Sequence, residues 1–462
     1  MTERELTPAQ VSFGLRISVI EGAFATIHAA LLGGVFMTGL ALRWGANAFQ
    51  FGLLSAIPAL FTAASLLGAL LVSQLGHRKT LTLVTAVVGR SVFLGFLPFL
   101  LARQPMPMPL FLGLVATYNL CLVIAGNAWT SWMGDLVPAS KRGRYFGARN
   151  TVMNMISTVF TFGVGRFLDA NKTEMGFTWV CLAGLAAGIL AMVLLRMQPE
   201  PALPGKLQRP WPSAIRAVIQ EPLRDQGFRK FIRFVATWSL VAPLASPFYS
   251  VHLLKHLSRA SYSLLGSYIA LSAASGIAFQ WLWGRIIDRY GAKPVLRLNL
   301  LFTGFLPLCW VIATPSFMLP IWLDAVGNGL FWGGVNLGWF SMLLGLAQGK
   351  PQRDAFFAFF TAVTGLGGFL AALVGGVVAQ MLSRFHWNIG PFQFVNFHVL
   401  FLAAGLGRFA VVGLVRSIPE EGARSMRELL GALGNLGARG LSMGKELVAE
   451  GLGAISERLF PG

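Results

Sequence analysis

Apolar residues along this chain neither alternate with the two-residue period of a half-buried strand nor form a single helical stripe. They fill long runs, interrupted by short stretches of Arg, Lys, Gly and Pro. A helix rises about 1.5 Å per residue, so about 20 apolar residues cross a hydrocarbon layer roughly 30 Å thick. Twelve runs reach that length, at 14–41, 50–74, 80–102, 108–133, 148–167, 176–196, 230–253, 262–285, 294–313, 318–345, 355–381 and 393–416. A peptide group in hydrocarbon finds no water, so each run must satisfy its own backbone and is predicted to be helical. The pattern predicts an all-α integral membrane protein with twelve transmembrane helices.

Composition supports this reading. Only 12% of the 462 residues are charged and 55% are apolar, with a mean hydropathy of +0.65, which is too little charge to wet a soluble protein of this size. The formal charge of +19 first points towards nucleic acid, but its placement does not. With both termini in the cytoplasm, 28 Lys and Arg fall on the cytoplasmic side and 7 outside, leaving Arg90 and Arg408 within spans. That bias orients the chain with cytoplasmic termini and leaves no basic face for a nucleic acid. Cys121, Cys181 and Cys309 each lie in an apolar run and form neither a disulfide framework nor a metal site. No removable signal sequence is evident at the N-terminus, so the first helix is expected to act as its own signal. The expected location is the plasma membrane, or the inner membrane of a Gram-negative host.

The longest polar connection, 197–229, separates a six-span half at 1–196 from another at 230–416. Its PEPALPGKLQRPWP reads as a linker, with one short surface helix after Pro212. The tail, 417–462, places Met426, Leu429, Leu430, Leu433 and Leu436 at nearly helical spacing. Gly431, Gly434, Gly437 and Gly440 each weaken that helix by about 1 kcal/mol relative to Ala. A loose amphipathic helix, interfacial or solvated, is expected.

The halves repeat. An offset near 215 lays Gly76-His77-Arg78 on Gly291-Ala292-Lys293, and a slightly smaller one lays Asn119 and Asn127 on Asn328 and Asn336. KRGRYFGAR, from Lys141, then falls near QRDAFFAF, from Gln352. Matches in the same order and topological place indicate a duplicated six-span unit, hence two pseudo-symmetric bundles.

The turn after span eight reads Gly284-Arg-Ile-Ile-Asp288-Arg289-Tyr-Gly291-Ala-Lys293-Pro-Val-Leu296. This resembles the G-x-x-x-D-R-x-G-x-K/R-x-x-L signature of the major facilitator superfamily, and the twelve spans, central loop and duplication are similar to that family over about residues 13–416. The resemblance implies a secondary transporter that works by alternating access, expected as a monomer, with Asp288 in a gating role. A carboxylate at this turn is suited to the N-terminus of span five or eleven, where unpaired N–H groups favour negative charge. Arg289 and Lys293 either anchor lipid headgroups or acids, or simply hold the loop in the cytoplasm. The first-half copy, Ala69, Ser73, Gln74, Gly76, Arg78 and Leu81, lacks the acid. Span five also lacks the Gly-Pro element of the family's drug/proton antiporters, which argues against drug efflux.

Of the 18 acidic residues only Glu21 and Asp324 fall well inside spans, where a charge costs at least about 2.5–3.5 kcal/mol. In the family this chain resembles, both helices line the central cavity. His28 shares a helix face with Glu21 about 10 Å away, which suits a proton path. Arg90, at similar depth in span three, offers an ion pair instead. Asp324 is the better proton or cation candidate, since no basic residue is expected at its depth in a neighbouring cavity helix. Arg408 is expected to be structural, snorkelling to the cytoplasmic interface. Asn119, Asn127 and Trp129 in span four, Trp238 in span seven, and Asn328, Trp332 and Asn336 in span ten are candidate walls of a midplane solute site. Such aromatic residues equally serve packing, and Trp132 is expected to be an interface anchor. Pro243 and Pro247 are expected to kink span seven.

No phosphate-binding loop, H-E-x-x-H or G-x-S-x-G motif is present, so neither ATP hydrolysis nor enzymatic activity is expected, and no cofactor or metal. The leading expectation is a secondary active transporter of a small solute, coupled to protons and in contact with membrane lipids. A lipid or amphiphile carrier or flippase is the alternative, followed by a non-transporting assembly factor of the same fold.

Overall fold

The computed structural model describes residues 6–65, 77–138, 141–201, 211–258, 261–350, 353–389, 392–420 and 422–431. The first-half motif copy from Ala69 to Gly76 and the tail beyond Gly431 lie outside these residues. In chain order the main helices are α1 (Pro8–Arg43), α2 (Ala48–Ala63), α3 (Arg78–Ala102), α4 (Met108–Leu136), α5 (Arg142–Ala170) and α6 (Glu174–Met197). After a linker helix, Trp211–Arg224, come α7 (Gln226–Leu257), α8 (Tyr262–Tyr290), α9 (Ala292–Ile312), α10 (Leu319–Ala347), α11 (Arg353–Met381) and α12 (Asn396–Ser417). Ten of these, all except α2, α5 and the linker helix, are long and apolar enough to cross a membrane. The described part of α2 is 16 residues long, and α5, with 29, carries Arg142, Arg144, Arg149 and Arg166.

Helix starts follow local chemistry. Thr7 with Gln10 and Asn47 with Gln50 form capping boxes at α1 and α2, while Asp225 and Ser261 cap α7 and α8. α7 breaks at Ala242–Ala245 and resumes at Ser246-Pro247, as the proline pair predicts. An antiparallel hairpin, β1 (His386–Ile389) with β2 (Phe392–Val395), lies between α11 and α12 and pairs His386 with Val395. Run length does not predict it, because its strands are only four residues each and the second runs into the predicted twelfth span at 393–395.

α1 packs on α5 and α6, and α3 on α4 and α6; in the second set α10 packs on α8 and α9, and α7 on α11 and α12. Two seams, α2 with α11 and α5 with α8, join the sets. The end holding Pro8 is called proximal and the end holding Arg43 distal. The largest apolar core is distal and shared, bringing Phe36, Phe177 and Leu168 together with Phe248, Tyr262 and Trp310. Proximally, among the described residues, the cores are separate. Trp132, Met133 and Leu136 belong to the first set, and Phe228, Phe231, Trp238 and Phe356 to the second. Met426 and Leu429 of the tail pack on Trp283, Ile286 and Val295, so the start of the tail is docked and not loose.

Candidate functional site

Four helices of the first set converge on Glu21. Its carboxylate is 4% exposed and pairs with Arg90 Nη2 at 3.4 Å, so the ion pair weighed from sequence is present. A second guanidinium, Arg149 on α5, also acts on Glu21. Arg149 lies over the Trp129 ring, 4.5 Å from its centroid, and its Nη2 rests where a Cβ on Gly22 would meet it, so a side chain at position 22 would make the guanidinium shift. Arg149 lies near the start of the predicted fifth span and within α5. Arg90 Nη1 and Arg149 Nε are buried without a hydrogen-bond partner among the described residues. His28 turns away from Glu21, with Nδ1 2.8 Å from the Gly184 carbonyl oxygen and its ring against Phe93 and Tyr118. A continuous path from Glu21 to His28 is therefore not formed by direct contact. Asn119 Nδ2 donates to Val115 O within α4 at 2.8 Å, and Asn127 Nδ2 to Ser65 O, just beyond α2, at 2.8 Å, so both amide nitrogens are committed to backbone.

The second set holds a different cluster. Asp324 Oδ2 accepts from Tyr268 Oη at 2.7 Å and from Trp310 Nε1 at 2.8 Å, with Asn328 Nδ2 3.5 Å from the same tyrosine oxygen. Among the described residues no basic side chain hydrogen-bonds or ion-pairs with Asp324, and the charge of Arg408 on α12 acts on it only at longer range. Arg408 does not snorkel. It is 3% exposed and donates to Thr303 O at 2.9 Å and Ala242 O at 2.8 Å. Both carbonyls are left over by proline breaks. Position 307, which would supply the helical donor to Thr303, is Pro, and at the α7 break Ser246 N bonds Pro243 O instead of Ala242 O. Arg408 thus staples two broken helices, with Trp238 and Trp332 flanking its guanidinium at 6.0 and 5.6 Å. Trp238 is buried, while Asn336 is exposed. Trp132 is no interface anchor: it is fully buried and donates to Pro199 O at 2.9 Å.

The sequence motif forms a clip at the proximal end. Gly291, at φ +89°, turns the chain from α8 into α9, a conformation that favours glycine. Glu420 then accepts from Ala292 N at 2.7 Å and Lys293 N at 2.6 Å, while Lys293 Nζ donates to Ile418 O at 2.7 Å. Arg289 lies near the Tyr290 ring. The first half repeats the clip: Lys79 N donates to Glu200 at 3.1 Å, and Lys79 Nζ to Gln198 O at 2.6 Å. Gly284 is half-buried and Asp288 exposed. Among the described residues Asp288 caps neither α5 nor α11, a departure from the expected placement that fits the separate proximal cores.

The distal seam is held by Asp169 at the end of α5. Its carboxylate accepts from Tyr262 N at 2.7 Å, Ser263 N at 2.8 Å, Ser261 Oγ at 2.9 Å and Ser263 Oγ, sealing the N-terminus of α8. A carboxylate at a helix start meets both orphan N–H groups and the favourable end of the dipole.

Two duplicated clips and two seams between the halves give this helical membrane chain its layout, and a sequence model described as the Major Facilitator Superfamily matches residues 19–350. The chain belongs to that superfamily. No curated protein matches it in sequence. Among solved structures it is similar to the nucleoside transporter NupG, at TM-score 0.68 and 11% identity over 88% of this chain and all of that one. It is also similar to the xylose transporter XylE from E. coli, at 0.61 and 15% over 90% and 98%, and to a bacterial homologue of the human lysosomal transporter Spinster, at 0.60 and 14% over 89% and 95%. As a major facilitator the chain is a multi-pass membrane transporter and not an enzyme. Sequence reasoning missed Arg149, Asp169 and Glu420 in this major facilitator. Only Glu420 had a sequence signal, since Arg196-x-x-Pro199-Glu200 recurs as Arg416-x-x-Pro419-Glu420 at an offset of 220.

Proposed function

We propose that this secondary transporter moves a small solute by alternating access, driven by protons. In this reading the twelve predicted spans form six-helix bundles at 1–196 and 230–416, joined by 197–229 and followed by the tail 417–462. Both termini face the cytoplasm, and one chain works alone in the plasma membrane. The observation that carries the reading is one-sided closure: a shared distal core with the Asp169 clamp, against separate proximal cores. Two rigid bundles meeting along such a seam rock about it when the clamp opens.

Asp324 is the proposed proton site. Its carboxylate is held by Tyr268 of α8, the helix that Asp169 clamps, so a change of charge at Asp324 acts on the seam helix. Counterflow and pH-driven uptake in proteoliposomes, across sugars, nucleosides and organic acids, test this. Asp324→Asn is expected to cut gradient-driven accumulation at least about tenfold while solute exchange continues. Accumulation with unchanged pH dependence would contradict the assignment.

An amphipathic substrate is the second reading. It is favoured by an apolar crevice of about 740 Å³ between α1, α5 and α6, lined by Leu31, Phe160, Phe167 and Trp179. Lipid scrambling without soluble-solute flux in the same proteoliposomes would select it.

A further inference from the structure

The buried charges of the two halves do not balance in the same way. In the second set Arg408 is spent on two backbone carbonyls and Asp324 is held by Tyr268 and Trp310, so one cation and one anion each have partners of their own. In the first set two guanidinium groups, Arg90 and Arg149, share the single carboxylate of Glu21. With Glu21 ionised, one positive charge is left over. The surplus is not absorbed by hydrogen bonds, because Arg90 Nη1 and Arg149 Nε are both buried without a partner among the described residues. Both side chains are half-buried, and a donor atom buried without a partner is costly unless an acceptor completes it. An aromatic pair also stands beside the Arg149 guanidinium group. Trp129 offers its face beneath Arg149, and Phe146 stands edge-on to that indole at 6.4 Å. It lies in the set whose proximal end is not joined to its counterpart.

We propose that Arg149 and Arg90 form the seat for the anionic group of the transported solute, a small organic monoanion of the carboxylate class, with Trp129 against its apolar part. This rests on the carrier reading given above. Glu21 orients the two guanidinium groups and keeps the net charge of the empty seat at one, so a monoanion neutralises it and a dianion overfills it. Arg149 is the residue that reads the anion, since Arg90 is already engaged by Glu21.

The test uses the full chain in phosphatidylcholine nanodiscs, followed by tryptophan fluorescence and thermal unfolding. The probes are benzoate and lactate, with benzamide and lactamide as neutral counterparts. Concentrations up to about 20 mM suffice to shift a low-millimolar site. The carboxylates are expected to stabilise the protein and change its fluorescence, and the amides to do neither. Arg149→Gln should weaken the carboxylate effect at least about tenfold, and Arg149→Lys, which keeps the charge but not the fork, by less. If Arg149→Gln does not fold, the lysine variant still decides the matter by its weaker but surviving response. Equal responses to acids and amides, no response to either carboxylate, or an effect only of phosphatidylglycerol would overturn the proposal. The two readings fail separately. Arg149-dependent binding without flux in proteoliposomes removes the carrier and leaves the seat; flux of a neutral solute that Arg149→Gln leaves intact removes the seat and leaves the carrier.

Discussion

Single residues show how much the chemistry of a position depends on what its neighbours leave undone. Arg408 reads in the sequence as a lone charge near the end of a peripheral helix, yet it is fixed at depth because Pro307 and the α7 break orphan two carbonyls that only a long cation can reach. No pattern within α12 announces this; it depends on register between three helices. Asp225 is legible, being an acid just before a helical run, and its side chain accepts from Phe228 N at 2.7 Å and pairs with Lys350 at 2.7 Å. Partial burial pushes its pKa up, but the bonds from Lys350 and Phe228 N outweigh this and hold it below the usual aspartate range. A lowered folded pKa means the stabilisation is complete above the ordinary aspartate pKa and is lost as pH falls through the depressed value. Asp225→Ala should therefore cost about 1 kcal/mol at neutral pH, as helix caps do. Thermal unfolding of wild type and variant should converge in strong acid, and a gap that stays constant with pH would refute the assignment.

Elements were easier to read than their contacts. Of the twelve runs, ten coincide with helices long and apolar enough to cross a membrane, because backbone in hydrocarbon has few alternatives. Run length missed the β1–β2 hairpin, whose alternation is too short to stand out, and the cap that the motif leads one to expect from Asp288 is not formed among the described residues. The seam between α5 and α8 was illegible, since Asp169 sits at a helix end where acids are unremarkable, and its role appears only when α8 begins beside it. The seam carries a definite expectation. Asp169→Ala removes four acceptor contacts from the N-terminus of α8 and should shift the population towards distal opening by roughly tenfold, a little over 1 kcal/mol. Labelling of a single cysteine placed at Leu265, buried in the shared distal core, should accelerate in that variant. Unchanged labelling would assign the clamp to folding and not to gating.

For the whole molecule, duplication was legible through the Gly291 turn and the paired asparagines, while the pairing of its two clips needed the structure, because Glu200 and Glu420 lie far from the lysine turns they close. What the fold adds is asymmetry between ends: one core distally, several proximally. The account makes that asymmetry reversible, and it can be examined without knowing the solute. Spin labels at Asn171 and Arg384 report the distal end and labels at Arg144 and Asp288 the proximal end, all at exposed positions. Pulsed electron spin resonance in nanodiscs at two pH values should give two distance populations for each pair. They should shift in opposite directions with pH, the distal pair shortening as the proximal pair lengthens. A single invariant distance for both pairs, or changes of the same sign at both ends, would contradict the rocking carrier.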